Sequence, residues 1–265
     1  MKLYSIASGS SGNCIYVGEE DRGVLVDAGI SMKRICEGLN GESISPEQIE
    51  GILITHEHSD HISGLGPLLR KYEIPVYGTE KTLQSILSSD KMKKVNTDLF
   101  FPVLADKPVK IKDMEIMPFS ISHDAADPVC YTIERAGKKV SVATDMGNFS
   151  DYTVSHIAKS DAMLLEANHD INMLQVGRYP YHLKMRILGD RGHLSNDNTA
   201  RLIERVLHDK LQYVVLGHLS QENNLPDLAY RTVKYELEQQ SDWNDLSVEL
   251  SVARRTQPTK AVMIN

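Results

Sequence analysis

The sequence predicts an α/β fold, a four-layer αββα sandwich in which two β-sheets pack face to face and helices cover both outer faces. Two stretches alternate predicted strands with predicted helices, and short β-runs separated by turns fill residues 100–142 between them. No segment rich in Pro, Gly or Ser divides the chain, so we expect residues 1–265 to form a single domain. A 41% hydrophobic composition over 265 residues is sufficient for a large core.

Each element follows from its apolar pattern, because short apolar runs are typical of buried strands and apolar residues every three or four positions are typical of helices. In the first half, we predict strands over residues 3–7, 14–17, 23–27, 52–55 and 75–77, helices over 30–39, 62–72 and 79–87, and a short helix opened by Pro46. In the second half, we predict strands over residues 109–111, 114–119, 129–134, 139–143, 162–166 and 213–216, helices over 196–208 and 225–240, and two strands within 246–264.

The bulk composition limits the function classes. A net charge of −7 argues against a protein that coats nucleic acid, although an enzyme needs only a local cationic track. The chain has no secretory signal pattern and no apolar run of membrane-spanning length, so we expect a soluble cytoplasmic protein. Its three cysteines are isolated, which argues against a disulfide framework or a zinc ribbon.

The motif HEHSDH at residues 56–61 directly follows the apolar run at 52–55 and has the pattern of a metal site. His56 and His58 alternate by two, so in an extended segment both rings point the same way, and Asp60 and His61 follow as the loop turns into a helix. Imidazole with carboxylate suits zinc, manganese or iron better than magnesium or calcium. The alternative is a polar turn of solvated histidines, which is disfavoured because Lys or Ser would serve such a turn equally well.

This HxHxDH motif resembles that of the metallo-β-lactamase superfamily, and later segments narrow the likeness to its YycJ/WalJ-type exonuclease branch, which is related to ribonuclease Z. The resemblance covers nearly the whole chain and implies the metallo-β-lactamase type of αββα sandwich. The segments that carry it are SIASGSSGNCIYV (5–17), ISHDA (121–125), ATDMG (143–147), LLEANHD (164–170), RYPYHLKMRILGDRGHLSN (178–196) and LGHLSQENN (216–224).

The resemblance also implies a ligand set for two cations, Mn²⁺ or Zn²⁺, which share these ligands. The first metal takes His56, His58, His123 and Asp145, and the second takes Asp60, His61, Asp145 and His218. From the residues alone, His123, Asp145 and His218 each follow a predicted strand, where a side chain could instead cap the next helix. Asp27 is implied to support the site from outside, by bonding backbone or a ligand histidine.

The expected activity is that of a dinuclear-metal phosphodiesterase acting on nucleic acid, in which a metal-bridging hydroxide attacks phosphorus in line. The resemblance favours a DNA exonuclease that digests 5′ to 3′. Asp60 would orient the nucleophile, and Glu166 with His169 would protonate the departing oxygen, as a Glu–His pair does in ribonuclease-Z-like enzymes. The alternative for this pair is an ordinary strand-end Glu and a surface His.

Three segments are expected to contact the substrate, with DNA favoured over RNA. The insert 177–191 combines cations with aromatic residues, a pattern typical of single-strand binding, although a solvated helix face is the alternative. The small residues of the turn 8–13 would approach a phosphate closely or form only a tight hairpin. The third segment, GHLSN, is similar to the GHST segment of ribonuclease Z, which implies that its histidine hydrogen-bonds a phosphate or a ligand carboxylate. The resulting candidates are Ser10, Asn13, Arg178, Lys184, Arg186 and His193.

Two other function classes stay open. A small-molecule hydrolase of the same superfamily, such as a cyclic phosphodiesterase, lactonase or thioester hydrolase, would use the same metals without the cationic insert. A metal-dependent structural or regulatory protein would need no catalysis. The arginines of the segment 254–258 could serve nucleic acid or an oligomer partner, and the sequence does not choose between these.

Overall fold

The strands of the protein were located in a computed structural model, which describes residues 1–19 and 21–265. In these ranges the strands are β1 Lys2–Ala7, β2 Cys14–Gly18, β3 Gly23–Val26, β4 Ile49–Leu53, β5 Val76–Thr79, β6 Phe100–Val103, β7 Val109–Ile111, β8 Met114–Ser120, β9 Val129–Arg135, β10 Lys138–Ala143, β11 Ala162–Glu166, β12 Tyr213–Gly217, β13 Glu249–Val252 and β14 Val262–Met263.

The strands form two sheets of related design. The first sheet has the order β14-β1-β2-β3-β4-β5-β6, and the second has the order β13-β12-β11-β10-β9-β8-β7. In the first sheet β3, β4, β5 and β6 run parallel, and in the second β10, β11, β12 and β13 run parallel. Each sheet also carries antiparallel strands at its other end. Both sheets are therefore mixed. The first takes β1 to β6 and the second takes β7 to β13, while β14 returns from the C-terminal end of the chain to the first sheet.

Helices connect the strands and cover the outer faces of both sheets. Over the described ranges they are α1 Met32–Gly41, α2 Ser59–Ile62, α3 Leu65–Tyr72, α4 Glu80–Leu87, α5 Asp151–Ile157, α6 Ile171–Val176, α7 Tyr181–Leu188, α8 Asn196–Val206, α9 Pro226–Glu238 and α10 Ser241–Asn244, with short 3₁₀ turns at Pro46–Gln48, Asp90–Met92 and Thr97–Leu99. Two of the longer helices begin at a serine cap: Ser31 accepts from the Arg34 amide at the start of α1, and Ser195 accepts from the Asn198 amide at the start of α8. None of the described helices is long and apolar enough to cross a membrane.

Three buried clusters hold the layers together. Between the sheets, Leu3 and Val26 of the first meet Tyr131 and Leu164 of the second. The outer face of the first sheet packs against the apolar sides of α1, α3 and α4, and that of the second against α5, α8 and α9. The predicted four-layer αββα sandwich is confirmed.

Several elements differ from the sequence-based predictions. The helix predicted over 62–72 is interrupted before Leu65, because a Cβ on Gly64 would lie 1.8 Å from the Ile30 carbonyl oxygen and its amide donates to Ala28. Strand β6, which contains Pro102, and helices α5, α6 and α7 were not predicted. The two strands predicted within 246–264 are confirmed as β13 and β14, and they join different sheets.

The strand directions bring one set of loops to a common edge. Strands β3 and β4 run parallel and end there, and so do β10, β11 and β12. Strand β8 is antiparallel to β9, which is antiparallel to β10, so β8 ends at the same edge. The residues that follow these six strands can therefore meet above the sheets, as ligand sites in α/β proteins commonly do.

Candidate metal centre and substrate cavity

The loop after β4 is fixed by backbone contacts before any ligand is considered. The Asn13 amide donates to the Asp60 carbonyl over 2.8 Å, and the Ala28 amide donates to the His61 carbonyl over 2.8 Å. A Cβ on Gly29 would lie 1.6 Å from the Asp60 carbonyl oxygen, so only glycine lets the two segments approach this closely. The helix α2 then begins at Ser59 and turns Asp60 and His61 back toward the strand ends.

Three histidine nitrogens converge in a first group. Nε2 of His56 lies 3.0 Å from Nδ1 of His58, and Nε2 of His123 lies 3.4 Å from the same atom. The far ring nitrogens are held from outside: Nδ1 of His56 lies 3.0 Å from the Thr55 hydroxyl, and Nδ1 of His123 lies 3.2 Å from the Gly192 carbonyl. Such outer contacts orient an imidazole so that its other nitrogen can bind a cation.

A second group lies beside the first and shares one carboxylate with it. Oδ2 of Asp60 lies 3.4 Å from Nε2 of His61 and 3.5 Å from Nε2 of His218. The two oxygens of Asp145 face both groups: Oδ2 is 3.4 Å from Nε2 of His61, and Oδ1 is 3.5 Å from Nε2 of His218 and 3.9 Å from Nε2 of His123. Asp145 is therefore placed to bridge the two groups.

The chemistry of these side chains fits a pair of divalent cations. Oδ2 of Asp145 and Nε2 of His218 are buried and have no hydrogen-bond partner within the described residues. Buried polar atoms without partners are costly, and a cation between them would satisfy both. The side chains predicted as ligands, whose metal-binding role remains a prediction, all meet here; they are His56, His58, Asp60, His61, His123, Asp145 and His218.

Asp27 supports the second group from behind. Its Oδ2 lies 2.7 Å from Nδ1 of His61, and its Oδ1 accepts the Thr55 amide over 2.9 Å. Burial raises the pKa of Asp27, whereas the pKa of His61 is raised because Asp27 and Asp145 outweigh the opposing effect of its burial. Asp27, Asp145 and His218 all have positive φ angles, 63°, 62° and 53°, a conformation that non-glycine residues adopt at a cost and that is concentrated at functional sites.

Glu166 at the end of β11 has a different partner from the one predicted. Its Oε1 lies 2.7 Å from Nδ1 of His193 and 3.1 Å from Nδ1 of His218, and its Oε2 accepts the Met146 amide. Although burial opposes ionisation, these two histidines hold the pKa of Glu166 below its usual range. His169 is buried, and neither of its ring nitrogens has a hydrogen-bond partner in the part of the chain described.

The predicted Glu166–His169 pair is thus a Glu166–His193 pair in the structure. The reason is that the backbone of His169 pairs with Ser195 and accepts the Asn196 amide, an arrangement that brings the neighbouring His193 onto the carboxylate. Burial lowers the pKa of His169 to about 4. The one indication of this pairing in the sequence was that the segments GHLSN and LLEANHD were both predicted to contribute to the same site.

A cavity of about 250 Å³ opens above both groups. It is lined by Ser10, His58, Asp60, His123, Asp124, Asp145, Asn168, Tyr179, Leu183, Arg186, Ile187, Gly192, His193, His218 and Ser220. One wall comes from the insert 177–191. Tyr179 is one of the aromatic residues for which the sequence suggested base stacking, whereas Leu183 and Ile187 were not singled out as site residues. The cavity thus has an apolar wall opposite the polar histidine and carboxylate side chains, a combination typical of sites for ligands that have both apolar and polar parts.

The predicted substrate contacts divide into two sets. Ser10, Arg186 and His193 line the cavity, and Arg186 forms an ion pair with Asp124 beside His123. The remaining three do not line it. Asn13 is buried, with Oδ1 accepting the Gly9 amide and Nδ2 lying 3.2 Å from Nε2 of His61; Lys184 donates to the Gln175 carbonyl; and Arg178 is exposed.

Comparisons with known proteins find relatives of one superfamily by sequence and a similar fold by structure. A family model described as a beta-lactamase superfamily domain matches residues 22–218. The chain is 38% identical to exodeoxyribonuclease YycJ of Bacillus anthracis over 96% of each chain. It is 42% identical to exodeoxyribonuclease WalJ of Streptococcus pneumoniae, over 89% of this chain and 88% of the relative. The metallo-beta-lactamase fold protein YhfI of Bacillus subtilis superposes with a TM-score of 0.70 at 16% identity, covering 97% of this chain and 98% of YhfI, a likeness of fold alone.

Proposed function

The chain belongs to the beta-lactamase superfamily, and from that membership we propose that it is a metal-dependent hydrolase acting as an exodeoxyribonuclease with two divalent cations. Relatives named as exodeoxyribonucleases, at 38% and 42% identity, support the substrate class. The structural observation that supports the chemistry most directly is Asp145, whose two oxygens face both histidine groups. We further propose 5′-to-3′ digestion and a cytoplasmic location, the latter supported by three free cysteines.

The proposed cations are Mn²⁺ or Zn²⁺. His56, His58, His123 and Asp145 would hold the first, and Asp60, His61, Asp145 and His218 the second. When bound, such cations supply Lewis-acid activation of a water molecule and of the phosphoryl group. Asp27 keeps the His61 ring fixed, and the Gly192 carbonyl does the same for His123.

We propose that His193, held by Glu166, protonates the departing oxygen. Its Nδ1 is engaged by the Glu166 carboxylate, which leaves Nε2 for the cavity that the ring lines. Burial alone would lower the pKa of His193, but the charge and hydrogen bond of Glu166 outweigh it and raise the pKa, which favours the protonated ring that a general acid needs. His169, which the sequence favoured for this role, is the alternative proton donor. A His193→Gln variant that remained active would support His169.

The proposed substrate is nucleic acid, with DNA favoured over RNA. Arg186 and Ser10 lie on the cavity wall where a phosphate would be held, and Tyr179 offers an aromatic face for a base. These features favour a nuclease over a hydrolase of small molecules.

The test uses metal-stripped protein reloaded with Mn²⁺ or Zn²⁺. It is given DNA labelled at either end, single- and double-stranded, beside labelled RNA and bis-(p-nitrophenyl) phosphate, with Asp60→Asn as control. Stepwise loss of one labelled DNA end that disappears in the control is the expected result. Cleavage of the small ester alone would retain the metal chemistry and reject the nucleic-acid function.

A further inference from the structure

We propose that Arg255 is an additional substrate-binding residue, which holds a phosphate of the nucleic-acid strand beside the cavity; this inference rests on the nuclease function proposed above. Arg255 lies in the segment between β13 and β14, whose arginines the sequence left open between nucleic acid and an oligomer partner. The segment is bound to the first loop of the protein, since the Ser8 amide donates to the Arg254 carbonyl over 3.2 Å.

The Arg255 side chain lies where two loops of the cavity meet. Its Nη2 donates to the Ser220 carbonyl over 2.8 Å. Its Cγ occupies the space beside Gly9, where a Cβ would come within 2.7 Å, so the absence of a side chain there makes room for the arginine. Gly9 pairs with Leu219, and the residues that follow these two, Ser10 and Ser220, both line the cavity.

The charge of Arg255 is not used within the protein. No carboxylate of the described residues forms an ion pair with it, and its Nε is buried without a hydrogen-bond partner among them. Other cations close to the cavity are already engaged: Arg186 pairs with Asp124, and Arg191 donates to the His123 carbonyl over 3.1 Å. A half-buried guanidinium with unused donors favours an anionic ligand.

Phosphate is the anion that fits this position. The guanidinium presents several N–H groups in one plane, a shape that matches phosphate oxygens. Ser10 follows Gly9, beside which the Arg255 side chain lies, and it is exposed at the cavity wall. Ser10 and Ser220 line the cavity above the two histidine–carboxylate groups. A phosphate bound by Arg255 beside these serines would therefore belong to the same strand as the reacting phosphate, but would be a different phosphate of that strand. Arg255 would therefore contribute to strand binding and contribute little to the cleavage of a substrate with a single phosphate.

The test measures binding in the catalytically impaired Asp60→Asn background, with a fluorescent single-stranded oligonucleotide of about 20 nucleotides. Arg255→Ala is expected to weaken binding about tenfold, and Arg255→Lys to recover part of the loss. The slope of log Kd against log salt should fall by about 0.7, the change for one phosphate contact on a single strand. Arg254→Ala is the matched control, since Arg254 is exposed and its guanidinium donates to Gln257 over 3.5 Å; this variant should bind within about twofold of the parent.

Two further readouts decide the interpretation. Thermal unfolding by circular dichroism establishes that each variant is folded, and Arg255→Ala in the otherwise native chain should hydrolyse bis-(p-nitrophenyl) phosphate as the native chain does. A parallel loss on that ester would show that Arg255 only positions the loop bearing His218, and would overturn the proposal. Unchanged DNA binding in Arg255→Ala, or no DNA binding by the parent, would overturn it as well. Arg255-dependent binding without cleavage by the native chain would instead reject the proposed nuclease activity alone.

Discussion

Among single residues, Asp145 has the most demanding position, because its two oxygens face histidines of both groups. We expect Asp145→Asn to lower the hydrolysis rate by at least about 100-fold, since an amide offers one oxygen and no charge between two cations. Metal content after dialysis should fall below that of the native chain, as measured by inductively coupled plasma mass spectrometry. Asp209→Asn, an exposed carboxylate elsewhere, is the control. Full metal content and activity in Asp145→Asn would reject the bridging role.

A second residue-scale prediction concerns the pH dependence of stability. Burial lowers the pKa of His169 from the usual 6.5 to about 4, so the folded protein binds fewer protons than the unfolded chain between these values. The stability associated with neutral His169 is therefore complete above pH 6.5 and is lost as the pH falls toward 4. Between pH 7 and pH 5.5 the native chain should lose about 1 kcal/mol more than His169→Gln.

Urea unfolding of metal-free protein at both pH values measures this difference. The other histidines are common to the two proteins, so their titration cancels in the comparison. Equal losses in the native chain and in His169→Gln would show that His169 titrates normally in the folded state.

At the scale of elements, the insert helix α7 determines which of the predicted cations line the cavity. Arg186 lines the cavity, whereas the Lys184 ammonium is bound to the Gln175 carbonyl. We expect Arg186→Ala to raise the KM for DNA about tenfold, because it removes a cation and leaves the Asp124 carboxylate unpaired beside the phosphates. Lys184→Ala should change that KM by less than about twofold. Initial rates on DNA, with bis-(p-nitrophenyl) phosphate as the comparison substrate, separate the two; similar KM values for both variants would contradict this division.

The helix α7 was not predicted from the sequence, because it lacks the buried apolar face that marks other helices. Most of the strands and the helices α1, α8 and α9 carry apolar residues that are buried in the core, and their patterns were sufficient to locate them. In and before α7 the large apolar side chains of Val176, Tyr181 and Met185 are exposed, so no buried face marks the helix. Strand β6 contains a proline, which ordinarily argues against a strand, and is tolerated because β6 lies at a sheet edge.

The site was predictable to the extent that its residues follow strand ends. The HxHxDH loop carries its own spacing, and the parallel strand ends explain why His123, Asp145 and His218 join it. The Glu166–His193 contact was not predictable in the same way, because it depends on how the loop after α7 returns over β11 rather than on any local pattern. Arg255 could not be assigned for a similar reason, since its neighbours Gly9 and Ser220 come from two separate loops of the chain.

At the scale of the whole molecule, the C-terminal segment connects the two sheets. Strand β13 extends the second sheet beside β12, and β14 extends the first beside β1. Between them, the Ala253 amide donates to Leu216 of the second sheet, and the Thr259 amide donates to Ser5 of the first. We propose on this basis that residues 1–265 unfold as one unit, because the contacts of the last strand stabilise both sheets together.

Removal of residues 262–265 tests this coupling. Val262 is 8% exposed and Ile264 is 2% exposed, both within the cluster between the sheets, so their loss should lower the free energy of unfolding by about 4 kcal/mol.

Trp243, the single tryptophan, packs in the separate cluster between the second sheet and its helices, and its fluorescence therefore reports on a distant layer. In a single unit, urea transitions followed by Trp243 fluorescence and by far-ultraviolet circular dichroism should coincide and shift together. Deletion of Asn265 alone, an exposed residue, is the control and should change the midpoint little. If the truncation moved the circular dichroism transition and left the fluorescence transition in place, the two sheets would be independent units and the single-domain proposal would fail.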